Sequence, residues 1–259
     1  MHLAFYKYQG TGNDFVMVDN RTLSWQPDSV EQVRKICDRR FGVGADGLIL
    51  LEELEGYDFR MVYYNSDGRE STMCGNGGRC VSRFASDLGM KKEEYRFKAI
   101  DGDHLARVSE EEVSIRMIDV QDVRQLENAV FVDTGSPHHI VFSHDTAQME
   151  IVPRARDIRY SDHYRQEGVN VNFVEVQENG HLFMRTYERG VEDETLSCGT
   201  GVTAAVLAAF KQEKVGAHKV YVHTRGGELN VSFKPAEVGF TDIWLTGPAE
   251  FVFEGSIEV

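Results

Sequence analysis

Residues 64–80, YNSDGRESTMCGNGGRC, and residues 187–203, YERGVEDETLSCGTGVT, are two versions of one pattern. Aligned on the cysteine, each has a glutamate four positions earlier (Glu70, Glu194) followed by Ser71 or Thr195. Each then runs Cys-Gly-x-Gly into an apolar stretch. Cys74 and Cys198 stand 124 residues apart. A second pair, Thr11-Gly12-Asn13 and Thr134-Gly135-Ser136, is offset by 123. Two motif pairs at nearly one offset predict a doubled unit, with one cysteine presented by each half.

The length agrees: 259 residues suit two bodies of roughly 130. A hydrophobic content of 41% is enough for packed cores. The formal charge of −14 argues against nucleic acid as the main partner, because a phosphate-tracking surface needs net positive charge. A small anionic substrate stays compatible, since local arginines and backbone N–H groups can outweigh the global field. No run of 18 apolar residues occurs, and the N-terminal MHLAFYKYQGTG lacks the apolar core of a signal peptide, so a cytoplasmic protein with no membrane partner is expected. Four cysteines (Cys37, Cys74, Cys80, Cys198) in so long a chain are not a disulfide scaffold; each must be buried, ligating or reactive.

Along the chain, short β-type runs at 3–8 and 14–19 flank the QGTGN loop, and 27–39 reads as a helix with Cys37 on its apolar stripe. GVGADG at 42–47 matches G-x-G-x-x-G, but a helix precedes it and a β-run follows. That is the reverse of the dinucleotide fingerprint, so it reads as a glycine-rich turn. After Cys74, residues Val81, Phe84, Ala85 and Leu88 have helical spacing, with Gly89 as the stop. The polar stretch 119–128 is the best boundary. It divides an N-terminal half, 1–121 joined by a C-terminal strand at 250–259, from a second half at 122–249. In that half, 145–160 is expected to be a helix or an irregular excursion. Asn179-Gly180 signals a hairpin, and GVTAAVLAAF after Cys198 predicts a helix buried all round. The expected fold is α+β: two pseudo-symmetric β-rich halves, each wrapped around a central helix, with the active site in the cleft between them.

Each of Cys74 and Cys198 is expected at a helix N-terminus, where unpaired N–H groups and the positive end of the dipole favour a thiolate. The glycines that follow leave backbone N–H groups open to a carboxylate. A thiolate on one side of a carbon and a thiol on the other is what inversion by proton transfer requires. Structural thiols, a redox disulfide and a metal site are competing readings. Metal ligation lacks a CxxC or HExxH partner set, and Cys80 reads as helix packing.

At these residues the sequence resembles the diaminopimelate epimerases. The matching segments are QGTGNDFVMVD (9–19), YNSDGRESTMCGNGGRC (64–80), GSPHHIV (135–141), GVNVNF (168–173) and YERGVEDETLSCGTG (187–201). The resemblance implies a cofactor-independent, metal-free isomerase of lysine and peptidoglycan-precursor synthesis, acting as a homodimer on a small diamino diacid. It makes Cys74 and Cys198 the catalytic acid and base, supported by His138 and Glu188. It assigns Gly75-Asn76 and Gly199-Thr200 to the reacting carboxylate, and Asn13, Asn65, Asn170, Glu188 and Arg189 to the rest of the substrate. Taken alone, the asparagines would read as turn residues, His138 as structural, and Glu188–Arg189 as a solvated charge pair. Three features depart from the family pattern: Ser136 stands where many relatives have Asn, Gly47 where some have a Gln, and the stretch between Glu188 and Cys198 is one residue longer than in some. The rival readings are a proline or hydroxyproline racemase, a thiol–disulfide protein, and a non-catalytic binding module.

Overall fold

The computed structural model describes residues 2–259, and it divides into two compact units. The first comprises residues up to Ile115 together with Gly247–Val259; the second is Arg116–Thr246.

In the first unit, strand Glu250–Glu258 lies antiparallel to His2–Gly10, which is antiparallel to Asn13–Asp19. That strand runs parallel to Gly47–Glu52, which is antiparallel to Phe59–Asn65. Phe59–Asn65 is parallel to Glu94–Ala99, and Gly102–Val108 and Val113–Arg116 continue antiparallel. In the second unit the order is Val123–Gln125, Val130–Asp133, Pro137–Phe142, Asn170–Val176, Leu182–Glu188, Lys219–Thr224, Gly227–Pro235 and Phe240–Gly247. Read across these ladders, both units give the same succession of pairings: antiparallel twice, parallel, antiparallel, parallel, antiparallel twice. The doubling seen in the sequence is therefore a doubling of topology.

Helices fall where that topology requires them. A parallel pair cannot be closed by a tight turn and needs a crossover. The two parallel steps of the first unit are spanned by α1 (Val30–Cys37) and α2 (Gly75–Asp87). Those of the second are spanned by α3 (Ile151–Arg159) and α4 (Gly199–Lys211). Helix α1 starts later than Pro27 suggested, because Ser29 caps it: its hydroxyl accepts the Gln32 N–H, and Gln32 Oε1 accepts the Asp28 N–H in return. Its buried face, Val33, Ile36 and Cys37, packs with Val16, Val18, Leu48 and Leu50. Cys37 is thus core, and burial pushes its thiol up to about 12.

Helix α2 begins six residues upstream of the predicted apolar stripe, directly after Cys74. Helix α4 is buried on all sides from Gly201 to Ala209. The 145–160 excursion resolves into a single 3₁₀ turn and α3. The hairpin at Asn179-Gly180 is wider than a two-residue turn, being closed by the Gln177 N–H donating to the His181 carbonyl. Among the described residues no helix is long and apolar enough to cross a membrane.

Candidate active site

Each unit delivers its cysteine in the same way. A strand ends (Phe59–Asn65, Leu182–Glu188), a loop returns, and the cysteine takes the N-cap position of the central helix in extended backbone. The N-terminal N–H groups of an α-helix have no partner within it, so this position offers hydrogen bonds and positive potential to a sulfur anion. All four cysteines are thiols.

In the first unit, Cys74 Sγ accepts the Gly77 N–H at 3.2 Å. The helix start is pinned by Asn76, which is buried and donates through Nδ2 to Asn13 Oδ1 at 3.3 Å. Asn13 in turn donates to Asp46. The Thr11 hydroxyl donates to Asn76 Oδ1 at 3.4 Å, and the same oxygen accepts Arg79 Nη2 at 2.9 Å. Arg79 is wholly buried and also donates to Thr11 Oγ1 (3.2 Å), the Pro248 carbonyl (3.3 Å) and the Gly75 carbonyl (3.5 Å). Burial lowers its guanidinium to about 10, offset in part by the cysteines beside it, Cys80 and Cys74. It remains a cation at neutral pH, one turn inside the helix that Cys74 caps. Sequence reasoning passed over Arg79. The signal available was an arginine on the inner face of a motif otherwise made of glycines and cysteines.

Asn65 accepts the Tyr63 hydroxyl through Oδ1 at 2.7 Å and pairs in register with Gly47. A Cβ at position 47 would lie 2.5 Å from Tyr63 Cε2 and 2.6 Å from the Tyr64 carbonyl. The close approach of the Tyr63 ring and the Tyr64 carbonyl therefore leaves room only for glycine at position 47. Behind Asn13, the buried Lys7 and the exposed Arg39 both engage Asp14, and Arg39 also reaches Asp46. Burial alone would raise the Asp14 carboxyl, but these two cations hold it at about 2.

In the second unit, Cys198 is 7% exposed, and its Sγ lies 3.4 Å from Thr200 Oγ1. The Thr200 carbonyl accepts the Thr134 hydroxyl at 3.0 Å. Thr134 thus ties the Thr-Gly-Ser loop to α4 as Thr11 ties its counterpart to α2. Asn170 donates to Ser136 Oγ at 2.8 Å and to the Pro137 carbonyl at 3.2 Å, and it accepts the Arg189 N–H at 2.8 Å. Glu188 accepts the Thr195 hydroxyl at 3.0 Å, and the exposed Arg189 donates one N–H to the Glu167 carbonyl at 2.9 Å.

His138 sits beneath the first turn of α4. Thr186 donates its hydroxyl to Asn172 Oδ1 (2.9 Å), which turns the Asn172 amide nitrogen toward His138 Nδ1 at 3.1 Å. Nδ1 must therefore accept, and the ring proton is on Nε2. Nε2 is buried with no hydrogen-bond partner among the described residues. Burial, and secondly the Arg189 charge, lower the imidazole from 6.5 to about 3. At neutral pH it is a neutral N–H donor. Asn172 and Thr186 were invisible in the sequence because each reads as an ordinary strand residue.

The sign of the resulting pH dependence is fixed. Above pH 6.5 the ring is neutral in both folded and unfolded chains. As pH falls from 6.5 toward about 3, only the unfolded chain takes the proton, so stability is lost at about 1.4 kcal/mol per pH unit. Denaturant titrations at pH 7 and pH 5 should show this loss in the wild type and a shallower one in His138→Gln. Equal slopes would show that His138 is not buried in its neutral form.

The pairing succession and the two capped thiols define a class: proteins of two like halves with one helix-capping cysteine in each. The same fold occurs in a PhzF-family phenazine biosynthesis protein from Bacillus anthracis (TM-score 0.77, 16% identity, all of both chains). It also occurs in a hydroxyproline epimerase from Agrobacterium vitis (TM-score 0.69, 14% identity, 99% of this chain and 91% of that one). At sequence level, the diaminopimelate epimerase family model matches residues 5–122 and 130–252. A diaminopimelate epimerase of Flavobacterium psychrophilum is 50% identical over 256 residues, covering 98% of this chain and 100% of that one. One from Chlorobaculum tepidum is 44% identical over 257 residues, covering 96% and 98%. The chain belongs to the diaminopimelate epimerase family.

Proposed function

We propose that the chain interconverts LL- and meso-2,6-diaminopimelate by two-base proton transfer at one α carbon, in lysine and peptidoglycan-precursor synthesis. It is an isomerase of amino-acid biosynthesis. The observation that carries the two-base reading is the repeat of one device: a thiol at the N-terminus of a buried helix, once per half. One cysteine as thiolate removes the α proton, and the other, as thiol, delivers a proton to the opposite face. Electron density from the broken C–H bond passes into the α carboxylate, which becomes enediolate-like. The N–H groups of Gly75-Asn76 and Gly199-Thr200 stabilise that charge where it develops. His138, as a neutral donor, and Glu188 support the second thiol. Asn13, Asn65, Asn170, Glu188 and Arg189 hold the distal amino acid end, and Arg189 still has guanidinium donors to offer its carboxylate. That distal charged end favours diaminopimelate over proline, which has none. The reaction needs no cofactor, because both proton carriers are side chains.

The test is proton NMR of the reduced protein with LL-diaminopimelate in D₂O. Loss of the α-proton signal together with appearance of the meso isomer is expected. Exchange on hydroxyproline or proline alone would move the substrate to the racemase group; no exchange on any of them would remove the proton-transfer reading.

A cytoplasmic homodimer completes the proposal. Strand Glu250–Glu258 exposes Phe251, Val252 and Phe253 at 50%, 51% and 43%. Neighbouring strand residues point to opposite faces, so apolar surface is open on both sides of this strand. A second copy of the chain is the partner that fits the family resemblance. Phe253→Glu should halve the mass seen by light scattering; an unchanged dimer would exclude this strand from the interface.

A further inference from the structure

Away from the residues of either thiol, three side chains on neighbouring strands of the second unit converge. His181 stands at the mouth of the hairpin before Leu182–Glu188, His223 on the adjacent parallel strand, and Glu228 directly across from His223 on the next strand. His181 Nδ1 lies 3.3 Å from His223 Nε2, and His223 Nδ1 lies 3.2 Å from Glu228 Oε2. One donor atom from each of the three falls within 4.8 Å of the other two. From this we propose that His181, His223 and Glu228 form a binding site for a divalent transition ion of the zinc–nickel class, separate from the epimerisation chemistry.

With its Nδ1–H given to Glu228, His223 keeps the lone pair on Nε2 and aims it at His181. A ligating histidine normally has its second N–H on a carboxylate, which fixes the tautomer and raises the basicity of the ligating nitrogen. Two imidazole nitrogens facing each other repel unless a proton or a cation sits between them. Their separation matches the edge of a tetrahedron with metal–nitrogen bonds of about 2.0–2.1 Å, which is about 3.3 Å. Two imidazole nitrogens, one of them backed by a carboxylate, suit borderline ions and do not suit magnesium or calcium, which take oxygen ligands.

The frame is rigid. His181 is held by its carbonyl to the Gln177 N–H (2.9 Å) and by its own N–H to Asn179 Oδ1 (3.0 Å), while Tyr221 packs on its ring. His223 and Glu228 share a cross-strand pair. All three side chains are at least partly open to solvent, so the ion has access and water can complete its coordination. A chain with a formal charge of −14 also favours cation approach.

The experiment is calorimetric titration with Ni²⁺ of a Cys74→Ser/Cys198→Ser variant, in which those two thiols cannot compete for the metal. One ion per chain should bind. His181→Ala and His223→Ala should each abolish binding, Glu228→Gln should weaken it 10–100-fold, and His144→Ala should leave it unchanged. Zn²⁺ should shift the ring-nitrogen NMR signals of His181 and His223 and of no other histidine. Binding that survives His223→Ala, or the absence of any Zn²⁺-induced shift at these two rings, would overturn the site and leave the pair joined by a shared proton.

Discussion

Cys74→Ser and Cys198→Ser are each expected to lower kcat for epimerisation by about 10²–10⁴-fold while leaving thermal unfolding unchanged or slightly raised. The rate loss follows because a hydroxyl is far too weak an acid to exist as the anion near neutral pH, so the variant lacks one of two proton carriers. The stability expectation follows from the capping role. Both cysteines occupy N-cap positions, and serine is among the best N-caps, so its oxygen can take over the Gly77 N–H that Cys74 Sγ accepts. Two-base chemistry also predicts a finer pattern. Each variant keeps one working thiol, which can still remove and return the α proton on its own face. In D₂O, one variant should therefore wash out the α proton of one isomer without inverting it, and the other variant should do so for the opposite isomer. Wild-type turnover in either variant would refute the scheme.

Gly201→Ala should be the most damaging substitution that removes no chemical group. On helix propensity alone, alanine would be favoured by about 1 kcal/mol. Here the added Cβ would lie 2.5 Å from Asn172 Oδ1 and 3.3 Å from His138 Cε1. The overlap wins, because Asn172 is buried and tied at both ends, to Thr186 and His138. A net loss of about 1–3 kcal/mol is expected, with kcat down about tenfold or more as the His138 donor is displaced. Asn172→Ala gives the check. If the clash is the cause, adding Asn172→Ala to Gly201→Ala should cost far less than the sum of the single losses. Strict additivity would show that Gly201 is required for another reason.

Much of this fold was legible because the doubling is written into the chain twice, as cysteine motifs and as Thr-Gly loops. The helices after Cys74 and Cys198 follow from apolar spacing, and the buried all-round character of α4 from its unbroken run of small apolar residues. Strand direction was not legible. A parallel and an antiparallel partner present the same alternation, so the succession of pairings common to both units appears only in the ladders. The site divides in the same way. Residues with unusual chemistry in glycine-rich loops stand out. The groups that set their state do not: Arg79 lies on the buried face of α2, and Asn172 and Thr186 lie within strands, where only the hydrogen-bond partners reveal their purpose.

The return of strand Glu250–Glu258 to His2–Gly10 bears on how the protein is made. On the ribosome, His2–Gly10 emerges well before its outer partner, and the whole of the second unit is made in between. The second unit, Arg116–Thr246, is one unbroken stretch and has all its strands before that partner exists. The first unit must wait through the synthesis of the second with one edge open. Its closure comes after the second unit has been made, so each chain has both thiol sites in finished form only once Glu250–Glu258 is in place.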